Sequence, residues 1–597
     1  MSRSWSMNLG RTETVRSYIG VLVPLQRAYA YSHSARQGKS EYHSVGHEMA
    51  ELRPGHRGNG DEEDEIDGLE EDEGMLKKHV SEYSIEGLRA EMRRGSKSGE
   101  KWTSYEIKSK LMNKAIQDIG MGRYNWQLFI LCGFGWFADN LWLQGVSLCL
   151  PSFSGEFDVS EKTVRYTTSA VFLGLSAGSF VWGIGSDWFG RRIAFNSTLL
   201  IAAVFGTAAA YMPSWGSACF FLAAMGFGVG GSLPVDGALF LEFLPDASSA
   251  LLTLLSVWWP IGQLISSLIA WYFIAKWPVE EGWRYFIVTI GIVTFAMFVC
   301  RFFVFYLFES PKWLLNQGRQ SEAVAVIHGI AYKNNSKTWL TEEIMDLVAG
   351  EDDETVQPPM PLAAKVGSDA LKAKLKGFSG DRLRPLFTPK KLGIATGLIW
   401  YCWASIGMGY PLFAAFLPQY FARVSEASDP SSSAVQDETS VISATTYRNY
   451  AITSILGVPG SLLAAWLVDR PSPFLGRRGT LATSTFFSAL FTFAFVLWGT
   501  TPNSQLAFSC LGAFFQNIMY GVLYAFTPEI FPAPARGTGT GVASFLNRIT
   551  GLMAPILAAN IPGDGATTPI YISAILILSS FAAMCGIPIE TRGAQIL

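Results

Sequence analysis

The chain has 597 residues, a net charge of −3 and a mean hydropathy of +0.24, with 16% of its residues charged and 14% aromatic. Soluble domains carry about 25% charged residues, so this composition excludes an ordinary soluble domain, and the missing basic face excludes a nucleic-acid binder. Charges are dense over residues 1–120 and 309–391 and sparse elsewhere, the pattern of several membrane spans flanked by aqueous segments.

In chain order, residues 1–120 are expected to form a cytosolic, largely disordered N-terminal tail. The first 40 residues are rich in Arg and Ser but lack an apolar core of about 7–15 residues, so no secretory leader is expected. The acidic run "DEEDEIDGLEEDE" at 61–73 reads as a solvated segment. A membrane-crossing helix needs about 20 apolar residues. Such runs lie near 126–150, 164–185, 193–212, 217–242, 249–274, 284–308, 392–421, 447–468, 479–499, 505–527, 537–560 and 569–588. The expected architecture is therefore an all-α membrane protein of twelve transmembrane helices in two six-helix halves. The halves are 121–308 and 392–588, joined by a cytosolic linker over 309–391 and followed by a cytosolic tail over 589–597.

Orientation follows from the basic residues. With the N-terminus in the cytosol, the inner segments hold Lys108, Lys110, Lys114, Arg123, Arg191, Arg192, the basic linker, Arg470, Arg477, Arg478, Arg536 and Arg592. The outer loops hold few, such as Lys162, Lys276 and Arg423, as the positive-inside rule requires. The halves also echo each other. Asp187 of "GSDWFGRR" has a counterpart in Asp469 of "VDRPSPFLGRR", and Glu309 of "FESPKWLL" has one in Glu590 of "PIETRG", at nearly equal separations. A repeat of six spans is a transporter design.

The turn "GSDWFGRR" (185–192) places an acid and two arginines between two apolar runs. Gly190 permits a tight bend, and a carboxylate at Asp187 suits the positive end of a neighbouring helix. These residues are read as an inner-gate charge network that closes in one conformation and breaks in another. Its members are Asp187, Gly190, Arg191, Arg192, Glu242 and Glu309 in the first half. In the second they are Asp469, Arg470, Arg477, Arg478, Glu529 and Arg536.

"GIGSDWFGRR" (183–192) resembles the G-x-x-x-D-R-x-G-R-R signature of the major facilitator superfamily. "FESPKWLL" (308–315) resembles the P-E-S-P-R-W-L signature of its sugar and organic-ion transporters. "TPEIFPAPARGTGTG" (527–541) and "RITGLMAP" (548–555) resemble the segment around span eleven in the organic-ion and synaptic vesicle glycoprotein branch. The resemblance covers residues 121–593 and implies twelve spans, alternating access and a solute site near mid-membrane. Trp188 departs from the basic residue of the signature, the stretch from Asp469 to Gly476 is longer than that from Asp187 to Gly190, and Phe308 replaces a proline.

Polar residues inside the spans are the candidate site. Asp139 in "GWFADNLWLQG" costs about 3 kcal/mol at mid-membrane and reads as a proton-coupling or solute-contacting group. Asp236 in "GFGVGGSLPVDGALF" is the second proton-coupling candidate, beside a structural reading. Arg548 in span eleven must meet an acid or an anion: an anionic solute, or an internal pair with Asp139 or Asp236. Arg301 reads as a structural partner of an inner-face acid. Gln144, Gln263, Trp400, Tyr401, Gln516, Asn517, Tyr520 and Asn547 are expected to line the solute cavity with Asp139 and Arg548.

None of the six histidines lies in an apolar run, which excludes an intramembrane histidine-based catalytic or proton-relay site. The seven cysteines, all in apolar runs, show no metal-like or disulfide spacing. No catalytic residue, metal or cofactor is expected, nor an ATP site, since no phosphate-cradling loop motif occurs. The resulting reading is a secondary transporter of a small organic solute, an organic anion or carboxylate, sugar or other metabolite. It is proton-coupled, monomeric and seated in the plasma membrane or the vacuolar membrane. A non-transporting membrane sensor or vesicle-type protein on the same scaffold is the alternative.

Overall fold

The computed structural model describes residues 13–25, 83–93, 104–245, 250–350, 386–417, 420–421, 444–468, 476–531, 536–561 and 567–589. Two helices precede the apolar runs: α1 (Ile85–Arg93) and α2 (Ser104–Ile119). There follow α3 (Arg123–Glu156), α4 (Tyr166–Phe189), α5 (Arg191–Ala209), α6 (Trp215–Gly230), α7 (Ser232–Glu242), α8 (Trp258–Phe273) and α9 (Val279–Val299). Between the halves lie α10 (Pro311–Asn316), α11 (Gln320–Lys333) and α12 (Glu342–Ala349). The second set is α13 (Lys390–Ala414), α14 (Ala444–Val468), α15 (Gly476–Trp498), α16 (Pro502–Ile530), α17 (Arg536–Asn560) and α18 (Thr568–Cys585). Each of the twelve expected spans falls on one of these helices, the fourth on α6 and α7 together. Among the described residues, ten spans qualify by length and composition to cross a membrane, those other than α3 and α4.

Contacts divide the chain into two compact units. The first comprises Met1–Leu128, Leu241–Ser248 and Leu307–Ala364. Its core is the buried face of α2 (Ile107, Leu111, Ala115, Ile119) and the largely buried α11. Asp118 ties this unit together, accepting from Trp339 Nε1 at 2.8 Å and Tyr83 Oη at 3.0 Å. The segment 13–25 is held by two backbone hydrogen bonds, Val23 N–H to Thr338 O and Thr338 N–H to Val21 O, each 3.0 Å. The expectation of a largely disordered 1–120 thus meets helices at 85–93 and 104–119. The cause is readable: apolar residues recur every four positions in α2, which makes one helix face apolar. The acidic run 61–73 lies outside the described residues.

The second unit comprises Phe129–Phe240, Ser249–Tyr306 and Lys365–Leu597. Its helices pack closely where glycines remove side chains. A Cβ at Gly174 would lie 1.9 Å from Ala223 O and one at Gly178 2.1 Å from Phe227 O, so α4 and α6 meet backbone to backbone. Trp142 Nε1 donates to Thr294 Oγ1 at 3.0 Å, linking α3 to α9. Gly190 takes φ +97°, a conformation that side-chain-bearing residues rarely adopt, and ends α4 directly before α5. The expected span 217–242 breaks at Gly231, whose N–H bonds to Gly228 O three residues back.

Candidate functional site

A cavity of about 110 Å³ lies within the second unit. It is lined from α3, α4, α7, α8, α13, α14, α16 and α17, four helices from each half. Asp139, Asn140 and Gln144 enter from α3, Trp259 and Gln263 from α8, and Tyr410 from α13. Gln516, Asn517, Tyr520 and Tyr524 enter from α16, and Asn547 with Arg548 from α17. Helical spacing explains the sets: Trp259 and Gln263, and Gln516, Tyr520 and Tyr524, recur four residues apart and share a face.

The charges in the cavity are Asp139 and Arg548, 4% and 5% exposed. Arg548 Nη2 stands 3.9 Å from Asp139 Oδ1, an ion pair without a hydrogen bond at that oxygen. Asn140 Nδ2 approaches Asp139 Oδ2 at 3.5 Å. Gln144 Nε2 also lacks a hydrogen-bond partner among the described residues. Buried polar groups left without partners cost free energy unless a ligand or water completes them. A polar chain crosses the cavity: Gln263 Nε2 donates to Asn140 Oδ1 at 2.8 Å and to Tyr410 Oη at 3.0 Å. Beside it stands an aromatic cluster. Trp136 and Trp259 stack at 4.7 Å between ring centroids, and Tyr524 lies edge-on to Trp259 at 4.9 Å and to Trp403 at 4.6 Å.

Of the ten expected solute-contacting residues, eight line the cavity: Asp139, Gln144, Gln263, Gln516, Asn517, Tyr520, Asn547 and Arg548. Trp400 and Tyr401 do not, which corrects the expectation. Trp400 sits two helical turns before Gly407 on the same face of α13, about 10 Å away along the axis, and donates to Gly539 O at 3.0 Å. Tyr401 points away from that face; it is 45% exposed and donates to Ser579 Oγ at 2.8 Å. Asn140, Trp259, Tyr410, Tyr450 and Tyr524 line the cavity without having been singled out. The four-residue spacing behind Gln263 and Tyr520 was the signal for Trp259 and Tyr524.

Asp236 lies apart from the cavity, in a fully buried ion pair with Arg301 at 2.6 Å. Arg301 also donates to Leu131 O and Phe195 O, both at 2.9 Å, and lies over the Phe195 ring at 3.7 Å. Gly135 makes room for the pair, since a Cβ there would fall 1.8 Å from Asp236 Oδ2. This is the structural arrangement held open in the sequence reading, and Arg548 sits by Asp139 rather than Asp236.

In the charge network, Arg477 at the start of α15 forms an ion pair with Glu529 near the end of α16. Arg478 Nη2 donates to Cys585 O at 2.6 Å, and Arg191 Nη1 donates to Ser186 Oγ at 2.7 Å. Glu309 Oε1 accepts from the Ser310 N–H at 3.1 Å. Arg192 and Glu242 are half-buried. The side chains of Asp187 and Arg536, and residues Asp469 and Arg470, lie outside the described structure.

The model of the Major Facilitator Superfamily matches residues 128–587. The chain belongs to that superfamily. Among its relatives is "MFS siderochrome iron transporter 1" of Ceriporiopsis subvermispora, 41% identical over 502 residues, covering 82% of this chain and 92% of the relative. "Synaptic vesicle 2-related protein" of Bos taurus is 26% identical over 526 residues, covering 86% and 88%. The solved proton:xylose symporter XylE of E. coli, bound to 6-bromo-6-deoxy-D-glucose, shares the fold with a TM-score of 0.59 at 17% identity, over 79% of this chain and 98% of its own. As a Major Facilitator Superfamily member the chain is a multi-pass, all-α membrane transporter of twelve helices in two six-helix halves, and not an enzyme.

Proposed function

We propose that this chain moves a small organic solute by alternating access, with Asp139 taking up and releasing a proton during the cycle. The observation that supports this reading is the pairing of Asp139 with Arg548 in a cavity that both halves build. A carboxylate in a low-dielectric site is neutral once protonated, and the guanidinium is then left to receive an anionic group of the solute. Binding of the solute at Arg548 and of the proton at Asp139 thereby favour each other, which is the linkage a symporter or exchanger needs.

The size of the site supports a compact solute. An enclosed water occupies roughly 10–15 Å³ of such volume, so about 110 Å³ holds on the order of ten water-sized positions. The edge amides of Gln144, Gln263, Gln516, Asn517 and Asn547 serve the solute's polar groups, and Trp259, Tyr410 and Tyr520 its apolar faces. Asp236, locked to Arg301, has no proton-coupling part in this proposal. The proposed setting is a monomer in the plasma membrane or the vacuolar membrane. The residues before Arg123 and those between the halves lie on the cytosolic side.

The test has two steps. Metabolite profiles of cells with and without the chain identify the solute, and its flux is then followed in reconstituted vesicles across a pH gradient. Asp139→Asn is expected to abolish the acceleration by the gradient while exchange of solute persists. Arg548→Lys is expected to raise KM at least about tenfold by losing the two-pronged contact. Undiminished gradient-driven flux in Asp139→Asn removes the proton role.

A further inference from the structure

Two clusters of different chemistry flank the cavity, one on either side of it along the helices. At one end is the aromatic cluster. Trp136 lies three residues before Asp139 on α3, Trp259 four before Gln263 on α8, Trp403 four before Gly407 on α13, and Tyr524 four after Tyr520 on α16. α16 runs antiparallel to the other three, so all four rings fall on the same side of the cavity. The basic residues assign that side to the cytosol.

At the opposite end stands Arg165, directly before α4, with 1% of its surface exposed. Its Nη1 donates to Ala558 O at 2.9 Å, and its guanidinium carbon lies 5.0 Å from the centre of the Phe416 ring. Glu161 Oε1 is 4.0 Å away. Ala558 is in the last turn of α17, where carbonyls have no helical partner and carry the negative end of the helix dipole. Arg165 therefore joins the start of a first-half helix to the ends of two second-half helices. Beside it Asn560 Nδ2 donates to Tyr166 Oη at 3.0 Å. One bonded arginine at this seam is stronger than an apolar contact and is lost as a unit when the seam parts.

We propose that Arg165 is the outer latch of the transport cycle, working against an inner plug formed by Trp136, Trp259, Trp403 and Tyr524. The outward-open state requires Arg165 to leave Ala558 O and Phe416, while the inward-open state requires the stacked rings to separate. The balance between the two open states is then set by the latch against the plug, and each is removable without touching Asp139 or Arg548.

The test uses the full chain carrying Ser454→Cys, a cavity-lining position of nearly equal volume, and a charged, membrane-impermeant methanethiosulfonate. The reagent is applied outside intact cells and, separately, to inside-out vesicles. The chain without Ser454→Cys is labelled in parallel to subtract the native thiols. Arg165→Gln is expected to raise the outside labelling rate about tenfold, the factor that 1.4 kcal/mol gives, with no rise from inside. Trp136→Leu is expected to do the reverse, and Arg165→Lys to fall between Arg165→Gln and the parent. Should Arg165→Gln fail to reach the membrane, Tyr166→Phe weakens the adjacent bond and is expected to act in the same direction, at about twofold. An outside rate unchanged in these variants overturns the latch. So does an equal rise from both sides, which marks general loosening. The readout needs no solute, so it stands or falls apart from the solute assignment above.

Discussion

Replacing Arg301 by Met is expected to cost about 3–5 kcal/mol of folding stability, because it strands the fully buried Asp236 carboxylate without its counter-charge. Both side chains are fully buried at 2.6 Å, so solvent screening does not soften the loss. Leu131 O and Phe195 O lose the additional bond from the guanidinium at the same time. Asp236→Asn keeps an acceptor for Arg301 Nη2 and leaves the cation on its two carbonyls and the Phe195 ring, so its cost is expected to be about 1–3 kcal/mol. The double variant Asp236→Leu with Arg301→Met removes both charges and is expected to be more stable than Arg301→Met alone. The assay is equilibrium unfolding in detergent, followed through tryptophan fluorescence. A loss below about 1 kcal/mol in Arg301→Met, or a double variant as unstable as the sum of its parts, refutes the reasoning.

Burial lowers the Lys333 ammonium to a pKa of about 8, against the pull of Glu13. Because the unfolded chain holds that proton to higher pH, stability gains from this group as pH rises through 8 toward 10.5. The unfolding midpoint of the native chain, scanned from pH 7 to 9.5, is expected to gain on that of Lys333→Met; parallel curves refute it. Gly178→Ala, with its Cβ 2.1 Å from Phe227 O, is expected to lose about 1–3 kcal/mol. Gly397→Ala, with nothing within 4 Å, is expected to be neutral or slightly stabilising in the same unfolding assay. Tyr401→Phe is expected to leave solute KM within about twofold and Tyr410→Phe to raise it, since Tyr410 alone of the two reaches the cavity.

The spans were legible because about 20 consecutive apolar residues leave few alternatives, and the repeat followed from paired acidic and basic turns. Within the site, Asp139 and Arg548 stood out because a charge at membrane depth is costly enough to demand a purpose. Aromatic residues were harder to assign. Trp400 and Tyr401 look as suitable as Tyr410 in the sequence, and only depth and rotation along α13 separate them. Arg165 escaped notice because it sits at the boundary of a span, where an arginine is ordinary, and its partners Ala558 and Phe416 are far away in the chain. The pairing of Asp236 with Arg301 likewise depended on how α7 and the end of α9 come together. The helices of residues 85–119 were masked by their charge content, although their apolar period was present.

The backbone bonds between residues 21–23 and Thr338 have a consequence for biosynthesis. A ribosome adding about 5–20 residues per second makes Thr338 roughly fifteen seconds to a minute after it has made Leu22. During that interval all of the first six spans are synthesised while the early segment stays without its mate. Docking of that segment therefore reports that the first half of the chain has been synthesised, and a fusion placed ahead of it must leave it slack enough to wait.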